Sequence, residues 1–132
     1  MSLVGERFVA VRNKAVAAYQ EATGLTTEPH IVCVTKTQPI DNVREVLEAG
    51  ATEIGENYLQ EAVRKDVFGL RRDWSVRLHF IGRLQSNKYS PILRRFDAVD
   101  SSDQPFLEKV AERQADPAIR ASTFLLEVNA GG

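Results

Sequence analysis

Apolar stripes at helical spacing alternate along the chain with short runs that are apolar throughout. Val4, Phe8, Val11, Ala15, Val16 and Tyr19 recur every three or four positions and predict a helix over residues 4–21, which Gly24 ends. The run Ile31-Val32-Cys33-Val34-Thr35-Lys36 predicts a buried strand over 30–36. Pro39 and Asp41 then open a second helix, with Val43, Val46, Leu47 and Ala49 on one face before Gly50. Further strands are predicted at 52–55, 76–81, 97–99 and 122–129. Further helices are predicted at 57–67, 86–96 and 105–114, and 69–75 reads as a polar loop. Pro91 fits the 86–96 helix only in a first turn, because proline has no N–H to donate deeper in.

Strand and helix alternating at this spacing argue for an α/β fold with a parallel sheet and helices outside it. The five strands fit either an open doubly wound sheet or the first part of a (β/α)8 barrel of the TIM type. A complete barrel takes about 250 residues, and this chain has 132. Residues 1–132 read as a single domain. The last predicted strand has no helix after it, so its edge is expected to be bare. We therefore expect a piece of a longer protein, with barrel-facing Val32, Val34, His79 and Ile81 uncovered. Such a chain should associate, swap strands or aggregate.

Composition narrows the function classes. The 17 basic and 18 acidic residues give a net charge of −1, which makes no case for nucleic acid or an anionic membrane as partner. The single cysteine, Cys33, rules out an internal disulfide and fits a reducing cytoplasm. It reads as a small core residue. No apolar run reaches the length of a membrane span, and the N-terminus lacks the layout of a signal peptide. His30 and His79 have no local acidic partners and make a poor metal site. There is no dinucleotide-binding glycine motif, Walker loop or nucleophile elbow.

Sites in parallel α/β folds lie at the C-terminal ends of the strands. Those ends carry Lys36, then Glu56-Asn57-Tyr58, then Gly82-Arg83 beyond His79, then Asp100-Ser101-Ser102, and finally Asn129. A desolvated lysine there can form a Schiff base with an aldehyde, and the amides, hydroxyls and imidazole suit a polar molecule around it. Each residue also has a structural reading. Lys36 could be a snorkelling surface residue, Glu56 a first-turn helix acid, Asn57 an N-cap and His79 a hydrogen-bonded core histidine. Arg71, Arg72, Arg77, Arg94 and Arg95 read as solvated surface.

Several stretches together resemble the pyridoxal 5′-phosphate homeostasis protein family. They are Val34-Thr35-Lys36-Thr37-Gln38-Pro39, Gly55-Glu56-Asn57-Tyr58-Leu59-Gln60-Glu61, His79-Phe80-Ile81-Gly82-Arg83-Leu84-Gln85-Ser86-Asn87-Lys88, Val99-Asp100-Ser101 and Glu127-Val128-Asn129. The resemblance runs from about residue 4 to the C-terminus, over what would be the N-terminal part of such a protein. It implies an alanine-racemase-like barrel binding pyridoxal 5′-phosphate through Lys36. Asn57, His79, Ser101 and Asn129 match positions facing or adjoining the cofactor ring. It implies a carrier or regulator of vitamin B6 and amino-acid balance, without catalytic residues or a metal. Partners would be the cofactor, amino acids and acceptor apo-enzymes. A full-length member would be a monomer, with the loops that hold the phosphate in its second half. The alternative is a fold-type-III enzyme such as an amino-acid racemase. That reading is weakened by Thr37-Gln38-Pro39, where alanine racemases carry Ala-Asn-Ala-Tyr-Gly after their lysine. A cofactor-free Schiff-base lyase and a non-catalytic interaction module rank below these.

Overall fold

All five predicted strands are present, and they pair in chain order. The computed structural model describes residues 1–131. It contains helix α1 (Leu3–Thr23), strand β1 (Cys33–Val34), α2 (Ile40–Glu48), β2 (Glu53–Glu56), α3 (Leu59–Arg64), β3 (Arg77–Phe80), α4 (Tyr89–Arg95), β4 (Ala98–Ser102), α5 (Gln104–Glu112) and β5 (Thr123–Leu126). The sheet order is β1-β2-β3-β4-β5 and every pair is parallel. A doubly wound sheet reverses its strand order at a switch point, whereas a (β/α)8 barrel adds strands in sequence. The fold is therefore the five-strand part of a barrel.

Element boundaries moved for identifiable reasons. β1 is an edge strand and bonds on one side only, so its ladder spans Cys33 and Val34 rather than 30–36. Asp66 adopts a left-handed conformation (φ 54°) that stops α3, and its side chain accepts the Gly69 N–H at 3.2 Å. The expected polar loop after it therefore begins as a 3-10 turn, Val67–Arg72, that buries Val67 and Leu70. Pro91 falls in the first turn of α4, preceded by a short 3-10 turn at Ser86–Lys88.

The two faces of the sheet differ. Toward the helices, Ile54, Leu78, Phe80 and Val99 pack on Val43 and Leu47 of α2, Ile92 and Leu93 of α4, and Phe106 of α5. Phe96 joins this layer edge-on to Phe80 and Phe68, with ring centroids 5.4 and 5.1 Å away. Toward the barrel interior, a Cβ on Gly55 would meet Val32 and Ile81 at 3.1 Å. The same face carries Glu53, His79 and Asp100, because side chains alternate along a strand. Val34 is half exposed there, but His79 is only 7% exposed, which corrects its expected uncovering. Cys33 is half-buried against the core, and burial pushes its thiol pKa up.

α1 lies over α2 as an outer layer. Ser2 caps its start by accepting the Gly5 N–H at 3.0 Å. Gly24 ends it in a left-handed conformation (φ 71°), donating to the Gln20 carbonyl at 2.9 Å. Its apolar stripe is wider than its contact, and Val11 stays 65% exposed. Gly24→Ala should cost about 1 kcal/mol, because an L side chain is strained at positive φ. Chemical denaturation would show it, and an unchanged midpoint would refute it.

Candidate functional site

The C-terminal rim of the sheet carries the predicted groups in three separate settings. Lys36 stands alone on the tight turn between β1 and α2. Its side chain is exposed, not desolvated as the buried-strand reading expected, and has no hydrogen-bond or ion-pair partner among the described residues, while its carbonyl accepts the Thr37 hydroxyl at 2.6 Å. The turn closes through the Gln38 N–H to the Thr35 carbonyl at 3.1 Å. Thr37 holds a positive φ of 63°, and its N–H donates to Glu61 Oε1 at 2.6 Å.

Beneath this turn lies an ion cluster. Lys65, at the end of α3, donates to the carbonyls of Thr35 and Gln38 at 2.8 and 2.9 Å. Its Nζ also lies 2.7 Å from Glu56 Oε1 and 2.8 Å from Glu61 Oε1. Thr35 Oγ1 donates to Glu56 Oε1 at 2.9 Å. Burial tends to raise the Glu61 pKa, but the bonds from Lys65 and the Thr37 N–H outweigh it and hold the carboxyl low. Glu56 is thus a buried anchor, 1% exposed, rather than a first-turn helix acid. Tyr58, not Asn57, occupies the N-cap of α3. Sequence reasoning missed Lys65. Only its i,i+4 spacing from Glu61 could have pointed to it.

Asn57, Ser101 and Asn129 come together around one depression, with Arg83, Asp103 and Glu127. Ser101 Oγ donates to the Gly82 carbonyl at 2.6 Å. Asp100 faces the interior by ordinary alternation, and a register irregularity between Val99 and Ser102 re-aims β4 so that the next residue, Ser101, reaches the rim. Lys36 does not line this depression. It stands at the β1 edge of the same rim. A neighbouring cleft, floored by Phe80 and Ile92, has Arg83 and Lys88 at its mouth.

His79 sits deeper, inside the barrel face. Its Nε2 lies 2.8 Å from Glu53 Oε1 and its Nδ1 2.9 Å from Asp100 Oδ1. Glu53 Oε2 in turn lies 2.9 Å from His30 Nδ1. Burial would raise the Glu53 pKa, yet the bonds to His30 and His79 lower it overall. Both ring nitrogens of His79 are engaged, so neither is free for a ligand at the rim. The acidic partners of His79 are not local in sequence: β2 and β4 supply them from 26 and 21 residues away. No group of three or more such side chains is arranged to hold a metal ion among the described residues. No helix is long and apolar enough to cross a membrane, among the described residues.

Comparison with known proteins gives a consistent picture. The chain is 34% identical over 134 aligned positions to the pyridoxal phosphate homeostasis protein of Pseudomonas aeruginosa, covering all of this chain and 56% of that protein. It is 30% identical to the protein of that name from Escherichia coli, over 98% of this chain and 56% of the relative. Among solved structures, PipY of Synechococcus elongatus PCC7942, with pyridoxal phosphate bound, superposes with a TM-score of 0.63 at 27% identity, over 85% of this chain and 50% of that one. An unknown protein from Bifidobacterium adolescentis gives 0.72 at 28% identity, over 91% and 53%. No family model matches the chain. The chain spans about half the length of the curated relatives it matches.

Proposed function

From a chain that corresponds in sequence and fold to the N-terminal half of the pyridoxal phosphate homeostasis proteins, we propose that this protein binds pyridoxal 5′-phosphate through a Schiff base at Lys36. It serves vitamin B6 and amino-acid homeostasis without catalytic turnover. The observation that carries the reading is the contrast between the two lysines at the β1 end of the rim. Lys65 Nζ has four oxygen acceptors within 2.9 Å, whereas the Lys36 amine has none. An amine held by four acceptors is poorly placed to reach an aldehyde, whereas the Lys36 side chain is exposed and free to meet one.

An aldehyde cofactor supplies an electrophilic carbon. Lys36 would hold that carbon through its amine, and the link would be open to exchange with a second amine. That reversibility suits a carrier serving amino acids and acceptor apo-enzymes. Asn57, Ser101 and Asn129 offer hydrogen-bonding groups across the rim. His79 supports the sheet beneath them through Glu53 and Asp100. Residues 1–132 form a single domain in this reading, the first part of a barrel working in the cytoplasm. The half-exposed Val34, Leu125 and Leu126 favour self-association of the open sheet.

A titration with pyridoxal 5′-phosphate read by visible absorbance tests the proposal, with Lys36→Ala alongside. The expected band saturates at a single cofactor per chain and is absent from the variant. No band, or equal labelling of both proteins, would overturn the reading.

A further inference from the structure

We propose that Lys65 is a positioning residue for Lys36, fixing the backbone turn from which the reactive amine projects. The inference rests on the cofactor-binding role of Lys36 and adds the group that sets how this amine is presented. The turn runs from Thr35 to Gln38, and a single ammonium pins both of its ends: Lys65 Nζ lies 2.8 Å from the Thr35 carbonyl and 2.9 Å from the Gln38 carbonyl. Between those ends, Thr37 is held by its N–H bond to Glu61 Oε1 at 2.6 Å, and the same oxygen lies 2.8 Å from Lys65. Lys36 is the one residue of the four whose side chain and N–H have no partner in this cluster.

The backbone conformation is the second observation. A β-branched residue at φ 63° is uncommon and persists only where its surroundings over-determine it. The Lys65–Glu61 pair supplies that determination. Glu56, bonded to both Lys65 and Thr35, ties the cluster to the end of β2, and Asn57 follows it directly. The clamp therefore fixes the root of Lys36 relative to the rim residue Asn57. A fixed root narrows the orientations the amine must search before attack. Lys65 itself is a poor competitor for the aldehyde, being 10% exposed and saturated with acceptors.

The test compares the 132-residue chain with Lys65→Met and Glu61→Gln. Each protein is mixed with pyridoxal 5′-phosphate, trapped with borohydride over a time course and mapped by mass spectrometry. Exposed Lys14 on α1 serves as the internal control. Amide hydrogen exchange at Thr37 is followed on the ligand-free proteins. In Lys65→Met, labelling of Lys36 relative to Lys14 should slow about tenfold, and exchange at Thr37 should accelerate. Glu61→Gln keeps the Lys65–Glu56 pair and should move both readouts the same way by less. A folded Lys65→Met protein with an unchanged Lys36-to-Lys14 ratio overturns the inference. Should that variant fail to fold, an unchanged ratio in Glu61→Gln overturns it instead. If the wild-type chain shows no preference for Lys36, the binding proposal fails, and exchange at Thr37 still decides whether Lys65 holds the turn.

Discussion

Gly82→Ala is expected to destabilise the chain by about 3 kcal/mol, the upper end of overpacking costs, and to open the rim depression. A Cβ at this position would lie 2.7 Å from the carbonyl carbon of Asn57 and closer still to its oxygen. These are backbone atoms, which cannot rotate aside as a flexible side chain does. The Gly82 carbonyl also accepts the Ser101 hydroxyl at 2.6 Å. The ends of β2, β3 and β4 thus converge on one residue without a side chain. Relief of the clash requires the segment around Gly82 to lift, which breaks the Ser101 bond and parts Asn57 from Ser101. Urea denaturation of the variant beside wild type would measure the cost. A loss below about 1 kcal/mol would show that the close approach is not rigid. If Asn57 and Ser101 flank the cofactor together, the folded fraction of Gly82→Ala should also bind it more weakly.

Much of the fold was legible because periodicity reports which faces are buried. The stripe Val43-Val46-Leu47 and the runs at β2 to β4 sit in the core as their spacing predicts. Periodicity does not report pairing, which is why the apolar run before Lys36 overstated β1. A partner strand sets ladder length, and β1 has one only on the β2 side. The choice between a doubly wound sheet and a barrel was equally beyond periodicity, since it depends on strand order; the family resemblance implied the barrel, and the observed order bears it out. At the rim, the chain showed which residues stand at strand ends, and Asn57, Ser101 and Asn129 do meet. What it hid were polar contacts between distant positions. Lys65 sits 30 residues from the Thr35 carbonyl it binds. Arg71 and Arg77, read as solvated surface, instead bond Asp97 and Thr123. Charged side chains carry no period, so their partners become visible only once the strands are side by side.

Asp97→Asn should cost about 2–3 kcal/mol near neutral pH and remove part of the acid sensitivity of the fold. Asp97 Oδ2 accepts from Arg71 Nη2 and the Leu78 N–H, both at 2.8 Å, and Oδ1 accepts from Arg120 Nε at 3.0 Å. Its backbone N–H donates to the Leu78 carbonyl at 2.9 Å, and its carbonyl receives the Ser122 N–H at 3.0 Å. One residue therefore registers the starts of β3, β4 and β5, whose far ends carry the rim. Burial alone would raise its pKa. The bonds from Arg71 and Leu78, with the Arg120 charge, outweigh burial and hold it below the ordinary 3.8. A carboxyl with a depressed folded-state pKa stabilises the fold fully above its unfolded pKa, and that stability is lost as pH falls through the folded value. The deficit of Asp97→Asn relative to wild type should thus stay constant from about pH 7 to about pH 5 and shrink below about pH 4. Glu53, lowered by its bonds to His30 and His79, contributes in the same direction, so the variant should keep some acid lability and Glu53→Gln should remove a separate share. Urea midpoints across this range provide the measurement. A deficit that is as large at about pH 3 as at neutrality would mean that the shape of the side chain, and not its charge, holds the three strand starts together.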